Sequence, residues 1–310
     1  MKVQISDPEA LLQKLSNLVR RGGPTPEEYD ETTAIFNQIA FARGADESVS
    51  DGIKTFISNS SGAFDSLETM QGFVCLKPHG YHGDFEVIDR IYNNWISGNV
   101  HLERWDRYFH WHAAPMAVRN RKDYFKALML SLVNETNAEF TVLNVASGPC
   151  RDLSELLAEN PIDRLHVECV DHDPNAIDLA SRLTRGASVT FHQKDIFRWR
   201  TTKQFRLVWS AGLFDYLNDR QAIHLLRKMA GWLDHSGQII VGNFSTRNAS
   251  RAYMEFGGWH LIHRTKTDLL QLAYQAGFDP AHCAVRAERL GVNLFLQIRP
   301  DTTLTWINKA

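Results

Sequence analysis

Acidic residues directly follow two of the short apolar runs in the second half of the chain. Asp171 ends the run at 167–170, and Asp195 closely follows the run at 189–192. An acid at the tip of a strand can accept hydrogen bonds from both hydroxyls of a ribose. A second acid can accept from the amino group of adenine while a neighbouring N–H, here that of Ile196, meets a ring nitrogen. These residue types at these places predict a nucleoside-binding site.

A loop of small residues precedes Asp171 at the distance typical of such a site. The apolar run 141–145 leads into A-S-G-P-C and then into a helical pattern. Gly148 lies 23 residues before Asp171, close to the gap of roughly 20 residues in dinucleotide-binding units. Small residues let the backbone approach a ligand, and the following helix offers unpaired N–H groups. No G-K-[ST] follows, which disfavours a phosphate-binding P-loop.

Strand and helix patterns alternate throughout the region that carries these residues. The predicted strands are 141–145, 166–170, 188–192, 206–209, 238–242, 284–287 and 293–298. The predicted helices between them are 152–159, 174–183, 219–232 and 267–276. This alternation predicts an α/β fold with a doubly wound parallel sheet, covered by helices on both faces. No helix separates the last two strands, which predicts a hairpin and an antiparallel edge strand.

The chain before residue 138 has helical patterning instead. Apolar residues recur at helical spacing in 7–20 and 84–97, and Pro115 is predicted to open a long helix that ends at Asn134. Thr25 followed by Pro26 is typical of a helix start. We therefore predict two domains, a helical lid over residues 1–137 that covers the carboxyl ends of the strands, and a sheet domain over 138–310.

The composition excludes several classes of function. The 310 residues include 36 acidic and 34 basic side chains, and the formal net charge is −2. That balance argues against nucleic-acid and anionic-membrane partners. No apolar run approaches the ~20 residues of a membrane span, and the N-terminus lacks the apolar core of a secretory signal. The four cysteines lie far apart without a C-x-x-C pair, so we predict a soluble cytoplasmic protein that handles a small molecule.

The motifs of the sheet region resemble those of class I S-adenosylmethionine-dependent methyltransferases. V-L-N-V-A-S-G-P-C stands where that family has V-L-D-x-G-x-G-x-G, V-E-C-V-D-H-D-P matches its ribose-binding acid, K-D-I-F its adenine-contacting segment, and V-W-S-A-G-L-F-D-Y-L its fourth-strand segment. The resemblance covers roughly residues 139–299 and implies a Rossmann-like sheet of about seven strands with S-adenosylmethionine as cofactor. It implies that the cofactor is lined by Ala146, Ser147, Gly148, Pro149, Asp171, His172, Asp195, Ile196, Ser210, Ala211 and Gly212. The chain departs from the pattern in keeping one of three glycines and in having Asn144 where the family has an acid.

The stretch K-P-H-G-Y-H-G-D at 77–84 predicts a tightly turned loop. A tyrosine ring face attracts a sulfonium cation, so we expect Tyr81 to lie over the cofactor. With 117–121 and 259–264, this stretch is similar to bacterial proteins that make 3-hydroxy fatty acid methyl esters. The helical lid also resembles methyltransferase-like azetidine-2-carboxylate synthases, in which the amine of the cofactor attacks its own γ-carbon.

These features predict methylation of a carboxylate or hydroxyl on a small organic molecule. The Asn/Asp-Pro-Pro-aromatic motif of nucleic-acid amino methyltransferases is absent after the fourth strand, which favours a small acceptor. A carboxylate needs no general base, whereas a hydroxyl needs one, with His263 or His82 as candidates. The predicted catalytic and pocket residues are Tyr81, His82, Tyr216, Trp259, His263 and Arg264.

Several alternatives remain open at the level of sequence. One is the intramolecular cyclase, and another is a non-catalytic regulator that binds S-adenosylmethionine, which the missing glycines would suit. No metal is predicted, because the histidines around His110 and His112 have no acid or cysteine partner at ligand spacing. The oligomeric state is not predicted, and a homodimer is one of the states left open.

Overall fold

The structure is a computed structural model that describes residues 7–300. These residues form two compact units. One, the helical unit, contains the described residues up to Met116 together with Asn248–His260. The other, the sheet unit, contains Ala117–Arg247 and the described residues from Leu261 onwards.

Helices make up most of the helical unit and flank the sheet of the other. They are α1 (Pro8–Arg20), α2 (Tyr29–Ala45), α3 (Val49–Ser58), α4 (Met70–Leu76), α5 (Phe85–Tyr92), α6 (Glu103–Trp111), α7 (Ala113–Asn134), α8 (Arg151–Glu159), α9 (Pro174–Leu183), α10 (Asp219–Ala230), α11 (Arg251–Phe256) and α12 (Lys266–Ala276). None of these described helices combines the length and apolarity that crossing a bilayer requires.

The sheet unit is built on seven strands. They are β1 (Phe140–Val145), β2 (Leu165–Asp171), β3 (Val189–Gln193), β4 (Phe205–Ser210), β5 (Leu233–Phe244), β6 (Cys283–Ala287) and β7 (Asn293–Ile298). Their order is β3-β2-β1-β4-β5-β7-β6. The first five strands pair in parallel, and β7 runs antiparallel to both of its neighbours. The predicted Rossmann-like, doubly wound sheet and its terminal hairpin are confirmed. The antiparallel strand was predicted at the edge, but β7 lies between β5 and β6, and β6 forms the edge.

Apolar side chains cover both faces of this sheet. On one face, α10 and α12 contribute Leu225, Met229 and Leu269 to a buried cluster. On the other, α7 and α8 contribute Phe125 and Leu153. Burial on both faces explains why the central strands β1, β2 and β4 are mostly apolar, whereas β3 at the edge is more polar and has no buried residue.

The compact units divide the chain differently from the boundary that the sequence predicts between residues 137 and 138. Most of α7 belongs to the sheet unit, because its Phe125 packs in the same buried cluster as Val142 of β1. Asn248–His260, which follow β5, belong to the helical unit. There Tyr253 and Phe256 each place their rings 4.9 Å from the ring of Phe36.

One predicted helix ends earlier than its apolar stripe suggests. The pattern at 84–97 predicts a single helix, whereas α5 ends at Tyr92. Asn94 has φ of +49°, which breaks the helix, and the Trp95 N–H turns back to donate to Arg90 O at 2.9 Å. The Arg90 guanidinium lies 4.5 Å from the centre of the Trp95 ring, so a cation–π contact fixes the tryptophan outside the helix.

Candidate active site

The loop between β1 and α8 has a left-handed backbone at three alternate residues. Ala146, Gly148 and Cys150 have φ of +52°, +56° and +52°. A residue other than glycine adopts this conformation at a cost of about 1–2 kcal/mol. These are the positions of the three glycines in the V-L-D-x-G-x-G-x-G pattern. Ala146 and Cys150 therefore lie in the backbone region that favours glycine, at two positions where the pattern has glycine.

Asp171 ties this loop to the end of β2. Its Oδ2 accepts the Gly148 N–H at 2.8 Å, and its Oδ1 accepts the Asp173 N–H at 3.0 Å. The residue is 7% exposed. A carboxylate offers about four acceptor positions, so two N–H bonds leave capacity for the hydroxyls of a ribose. The hydrogen bond to Asp171 raises the pKa of His172, whose Nδ1 lies 3.5 Å from Oδ1.

A tight turn after β3 lies beside Asp171. The Lys194 N–H donates to Asp171 O at 2.8 Å. Within the turn, the Asp195 carboxylate accepts the Phe197 N–H at 2.7 Å. The Asp195 side chain is 51% exposed, whereas Ile196 is buried. The turn thus brings the partly exposed Asp195 carboxylate close to the end of β2. The sequence predicts that Asp195 binds adenine there.

Two buried hydroxyls at the strand ends have no hydrogen-bond partner within the described residues. They are Ser147 Oγ, after β1, and Ser210 Oγ, at the end of β4. Buried polar groups are nearly always bonded, so such orphans at a strand edge point to a ligand or water. A Cβ built at Gly148 would meet nothing within 4 Å. The strand ends thus provide Asp171 for a ribose, Asp195 for adenine, open space beside Gly148 and two unpaired hydroxyls. This set of groups fits a nucleoside cofactor.

The loop after β4 is fixed by a buried acid that the sequence did not single out. Asp215 Oδ1 accepts the Phe244 N–H at 2.6 Å and Asn243 Nδ2 at 3.1 Å. Burial raises the pKa of Asp215 to about 7. A Cβ built at Gly212 would lie 2.9 Å from Arg121 Nη1, so a side chain there would displace the end of the arginine. The only signal for Asp215 in the sequence was that it is an acid within an otherwise apolar segment.

Arg264, predicted to line the acceptor pocket, is a structural residue in this geometry. It is 3% exposed. Its Nη1 donates to Phe214 O at 2.8 Å and Asn243 Oδ1 at 2.7 Å. Its Nη2 donates to Leu217 O at 2.6 Å and Asp219 Oδ1 at 2.8 Å. These four bonds use all the Nη hydrogens, so Arg264 holds the loop after β4 and is not available to bind an acceptor through them.

Two further predicted residues lie in the sheet unit. Tyr216 follows the same loop and is 41% exposed. His263 is half-buried, and its Nδ1 donates to Leu261 O at 3.1 Å. In the neutral ring that bond places the proton on Nδ1.

The remaining predicted residues belong to the helical unit. Tyr81 and His82 are half-buried in the loop between α4 and α5, where the flanking Gly80 and Gly83 have φ of +84° and +65°. These values confirm the predicted tight turns. Trp259 is buried, with 7% exposure. A lid role for these residues stays a prediction.

His82 sits against the glycine that precedes Trp259. A Cβ built at Gly258 would lie 3.5 Å from the His82 ring. The Nε2 atom of His82 is buried and has no hydrogen-bond partner within the described part of the chain. Burial, with the neighbouring charges of Lys77 and His260, lowers the pKa of His82 to about 4. His82 is therefore neutral at physiological pH.

Histidines of the helical unit have structural contacts. His79 Nε2 lies 3.0 Å from a Glu86 carboxylate oxygen, His110 Nε2 donates to Trp95 O at 2.8 Å, and the His112 ring stacks on another aromatic ring. Across residues 7–300, no three His, Cys, Asp or Glu side chains are grouped in a way that could hold a metal ion.

The sheet unit contains a recognisable family segment. Residues 142–237 match the family model of the methyltransferase domain, which spans less than half of the chain. The segment includes the β1 loop, Asp171, the turn after β3 and the loop after β4. No curated protein matches the chain.

Solved structures share the fold at low sequence identity. A possible exported protein from Bordetella parapertussis is 18% identical, with a TM-score of 0.60, over 97% of this chain and 99% of that chain. Magnesium protoporphyrin IX methyltransferase from Synechocystis PCC 6803, solved with bound S-adenosylhomocysteine, is 15% identical, with a TM-score of 0.50, over 69% of this chain and 93% of that chain. At these identities the likeness concerns the fold, and the first match includes nearly the whole chain.

Proposed function

We propose that the protein is an S-adenosylmethionine-dependent methyltransferase that acts on a small organic molecule. The geometry at the ends of β1 and β2 carries this proposal. Ala146 and Cys150 have the positive φ that favours glycine, at two positions where the family pattern has glycine, and Asp171 fixes the loop through the Gly148 N–H. The match of residues 142–237 to the methyltransferase domain supports it independently.

In this proposal each strand end has a part in holding the cofactor. Asp171 binds the ribose hydroxyls, Asp195 and the Ile196 N–H bind adenine, and the hydroxyls of Ser147 and Ser210 find their partners in the remainder of the cofactor. His172, Pro149, Ala211 and Gly212 complete the lining. S-adenosylmethionine supplies a methyl group already activated by the sulfonium, so the protein contributes mainly orientation and exclusion of water, an effect of up to ~7–11 kcal/mol.

We infer that the acceptor is a carboxylate. A general base is most effective when its pKa lies near the working pH, and burial lowers that of His82 to about 4. A carboxylate is already a nucleophile at neutral pH and needs no base. The resemblance of residues 77–84 to proteins that make 3-hydroxy fatty acid methyl esters agrees with this acceptor. A hydroxyl acceptor would need a general base, for which His263 is the other candidate.

Mass spectrometry of the reaction products tests the proposal. The protein is incubated with S-adenosylmethionine alone and then with a panel of carboxylic acids that includes 3-hydroxy fatty acids, with the matching alcohols as a control panel. We expect S-adenosylhomocysteine and a methyl ester only when an acid is present. Methylthioadenosine formed from the cofactor alone would establish the cyclase, and binding without turnover across the panel would establish the regulator.

A further inference from the structure

One lysine of α10 holds the turn that follows β3. Lys228 Nζ lies 2.9 Å from Ile196 O, 2.8 Å from Phe197 O and 3.1 Å from Trp199 O. An ammonium group has three N–H donors. All of its donor capacity is therefore directed at the carbonyls of a single turn.

These contacts are made at an electrostatic cost. Partial burial, and then the nearby Arg200 guanidinium, lower the pKa of Lys228, so the ammonium is less well solvated there than on an open surface. Arg200 Nη1 donates to Phe197 O at 3.1 Å and Trp199 O at 2.9 Å. Because Arg200 follows the turn directly in sequence, it moves with the turn. Lys228 connects the turn to a separate helix and so fixes its place in the unit.

The turn that Lys228 holds is the one assigned above to adenine. It begins with Lys194, whose N–H donates to Asp171 O, and it carries Asp195 and Ile196. We propose that Lys228 is a positioning residue that sets this turn so that the Asp195 carboxylate and the Ile196 N–H meet the adenine edge together. This inference rests on the proposed cofactor, S-adenosylmethionine. It adds Lys228 as the residue that makes the site specific for adenine.

Base selectivity is the property that such positioning controls. Adenine offers an amino donor and a ring-nitrogen acceptor, which an aligned carboxylate and N–H match. Hypoxanthine presents a carbonyl acceptor and a ring N–H in the same places, so both contacts become repulsive. A site built to hydrogen-bond one group rejects an analogue that lacks it. A protein in which this turn is no longer held in place should therefore discriminate less between adenine and hypoxanthine than the wild type does.

The test compares two ligands by calorimetric titration, S-adenosylhomocysteine and S-inosylhomocysteine. We expect the wild-type protein to prefer the adenine ligand by about tenfold or more. Lys228→Met should weaken S-adenosylhomocysteine by about 5- to 100-fold and bring the ratio of the two dissociation constants towards one. Lys228→Arg should restore part of the ratio, because its guanidinium can still donate to these carbonyls.

Arg227→Met is the matched control on the same helix. Arg227 donates to Gln275 O at 2.7 Å and Ala276 O at 3.3 Å, away from the turn. We expect this variant to keep both the affinity and the ratio while its thermal stability falls. If Lys228→Met does not fold, Lys228→Gln takes its place. We expect it too to weaken S-adenosylhomocysteine and to bring the ratio of the two dissociation constants towards one.

The outcomes separate this inference from the proposed function. A wild type that discriminates between the bases, with a folded Lys228→Met or Lys228→Gln that discriminates equally well, overturns the role of Lys228 and leaves the cofactor in place. A wild type that binds neither ligand overturns the cofactor and this inference with it.

Discussion

Asp171 shapes the proposed cofactor site before any ligand arrives, since it already bonds the N–H groups of Gly148 and Asp173. Asp171→Ala would leave buried donors unpaired and remove the acceptor for the ribose. We expect S-adenosylmethionine affinity to fall by about one to two decades, equivalent to roughly 1–3 kcal/mol. Calorimetry measures this loss. Asp171→Asn keeps the shape and one acceptor oxygen and should lose less, whereas unchanged affinity in a folded Asp171→Ala would remove Asp171 from the site.

Tyr81 offers a test of the lid, because the sulfonium charge exists only before methyl transfer. If its ring faces that cation, Tyr81→Ala should weaken S-adenosylmethionine more than neutral S-adenosylhomocysteine, by ~0.5–2 kcal/mol. Tyr81→Phe should keep most of the difference, since the ring face carries the attraction. Parallel titrations of the two ligands measure it, and equal losses for both would mean that Tyr81 serves packing alone.

Asp215 should make stability depend on pH. Burial raises its pKa from 3.8 to about 7, so the folded state binds the proton more tightly than the unfolded state. The stabilisation is full below the unfolded pKa and is lost as the pH rises through about 7. Asp215→Asn keeps an acceptor for the Phe244 N–H but cannot titrate. The fall in Tm between about pH 5 and about pH 8 should therefore be smaller in this variant.

In Asp215→Asn the fall in Tm with rising pH should become smaller but should not disappear. Burial also raises the pKa of Asp152 and Asp106 to about 6, so these groups act in the same direction. Asp219→Asn is the control, because this acid belongs to the same network through Arg264 but its side chain is 72% exposed. If Asp215→Asn kept the full wild-type dependence on pH, the assignment of a buried proton to Asp215 would be wrong.

At the scale of elements, the left-handed loop after β1 makes an unusual prediction about stability. Ala146 is in a glycine conformation, so Ala146→Gly relieves strain of about 1–2 kcal/mol and loses about 0.5–1 kcal/mol through the freer unfolded chain. We expect urea unfolding to show no loss or a gain of up to about 1.5 kcal/mol. Ala158→Gly, on the exposed face of α8, should instead cost about 1 kcal/mol. Equal losses in the two variants would contradict the strained loop.

Regular elements were the most predictable part of the sheet unit. β7 and α9 begin and end at their predicted residues, because local periodicity and helix-start signals determine such elements. The backbone at Ala146 and Cys150 was not foreseen, since nothing local in an alanine or cysteine signals a left-handed conformation. Comparison with the family pattern located these positions, and only the structure showed that their φ angles are positive.

Residues that act through distant contacts were the least predictable part of the site. Lys228 and Asp215 have partners far away in the sequence, at separations of 32 and 29 residues. Lys228 lies in no motif, and the motif that contains Asp215 gives this acid no role. Arg264 was predicted to line the acceptor pocket, but two backbone carbonyls and the side chains of Asn243 and Asp219 take up its Nη donors. A sequence gives the charge of a side chain and not the direction in which it points.

At the scale of the whole molecule, two domains were predicted and two compact units are seen, with different limits. The periodicity of α7 is that of any amphipathic helix and does not say which core receives its apolar face. Residues 248–260 follow a strand of the sheet, so sequence order assigns them to it, whereas the rings of Tyr253 and Phe256 pack with Phe36. Tertiary packing alone decides both assignments.

The central claim is that the ends of β1, β2 and β3 hold S-adenosylmethionine. A crystal structure with S-adenosylhomocysteine tests it most directly. We expect the ribose hydroxyls within hydrogen-bond distance of the Asp171 carboxylate, adenine beside Asp195 and Ile196, and positive φ at Ala146 and Cys150. A ligand bound elsewhere, or Asp171 without contact to the ribose, would contradict the account.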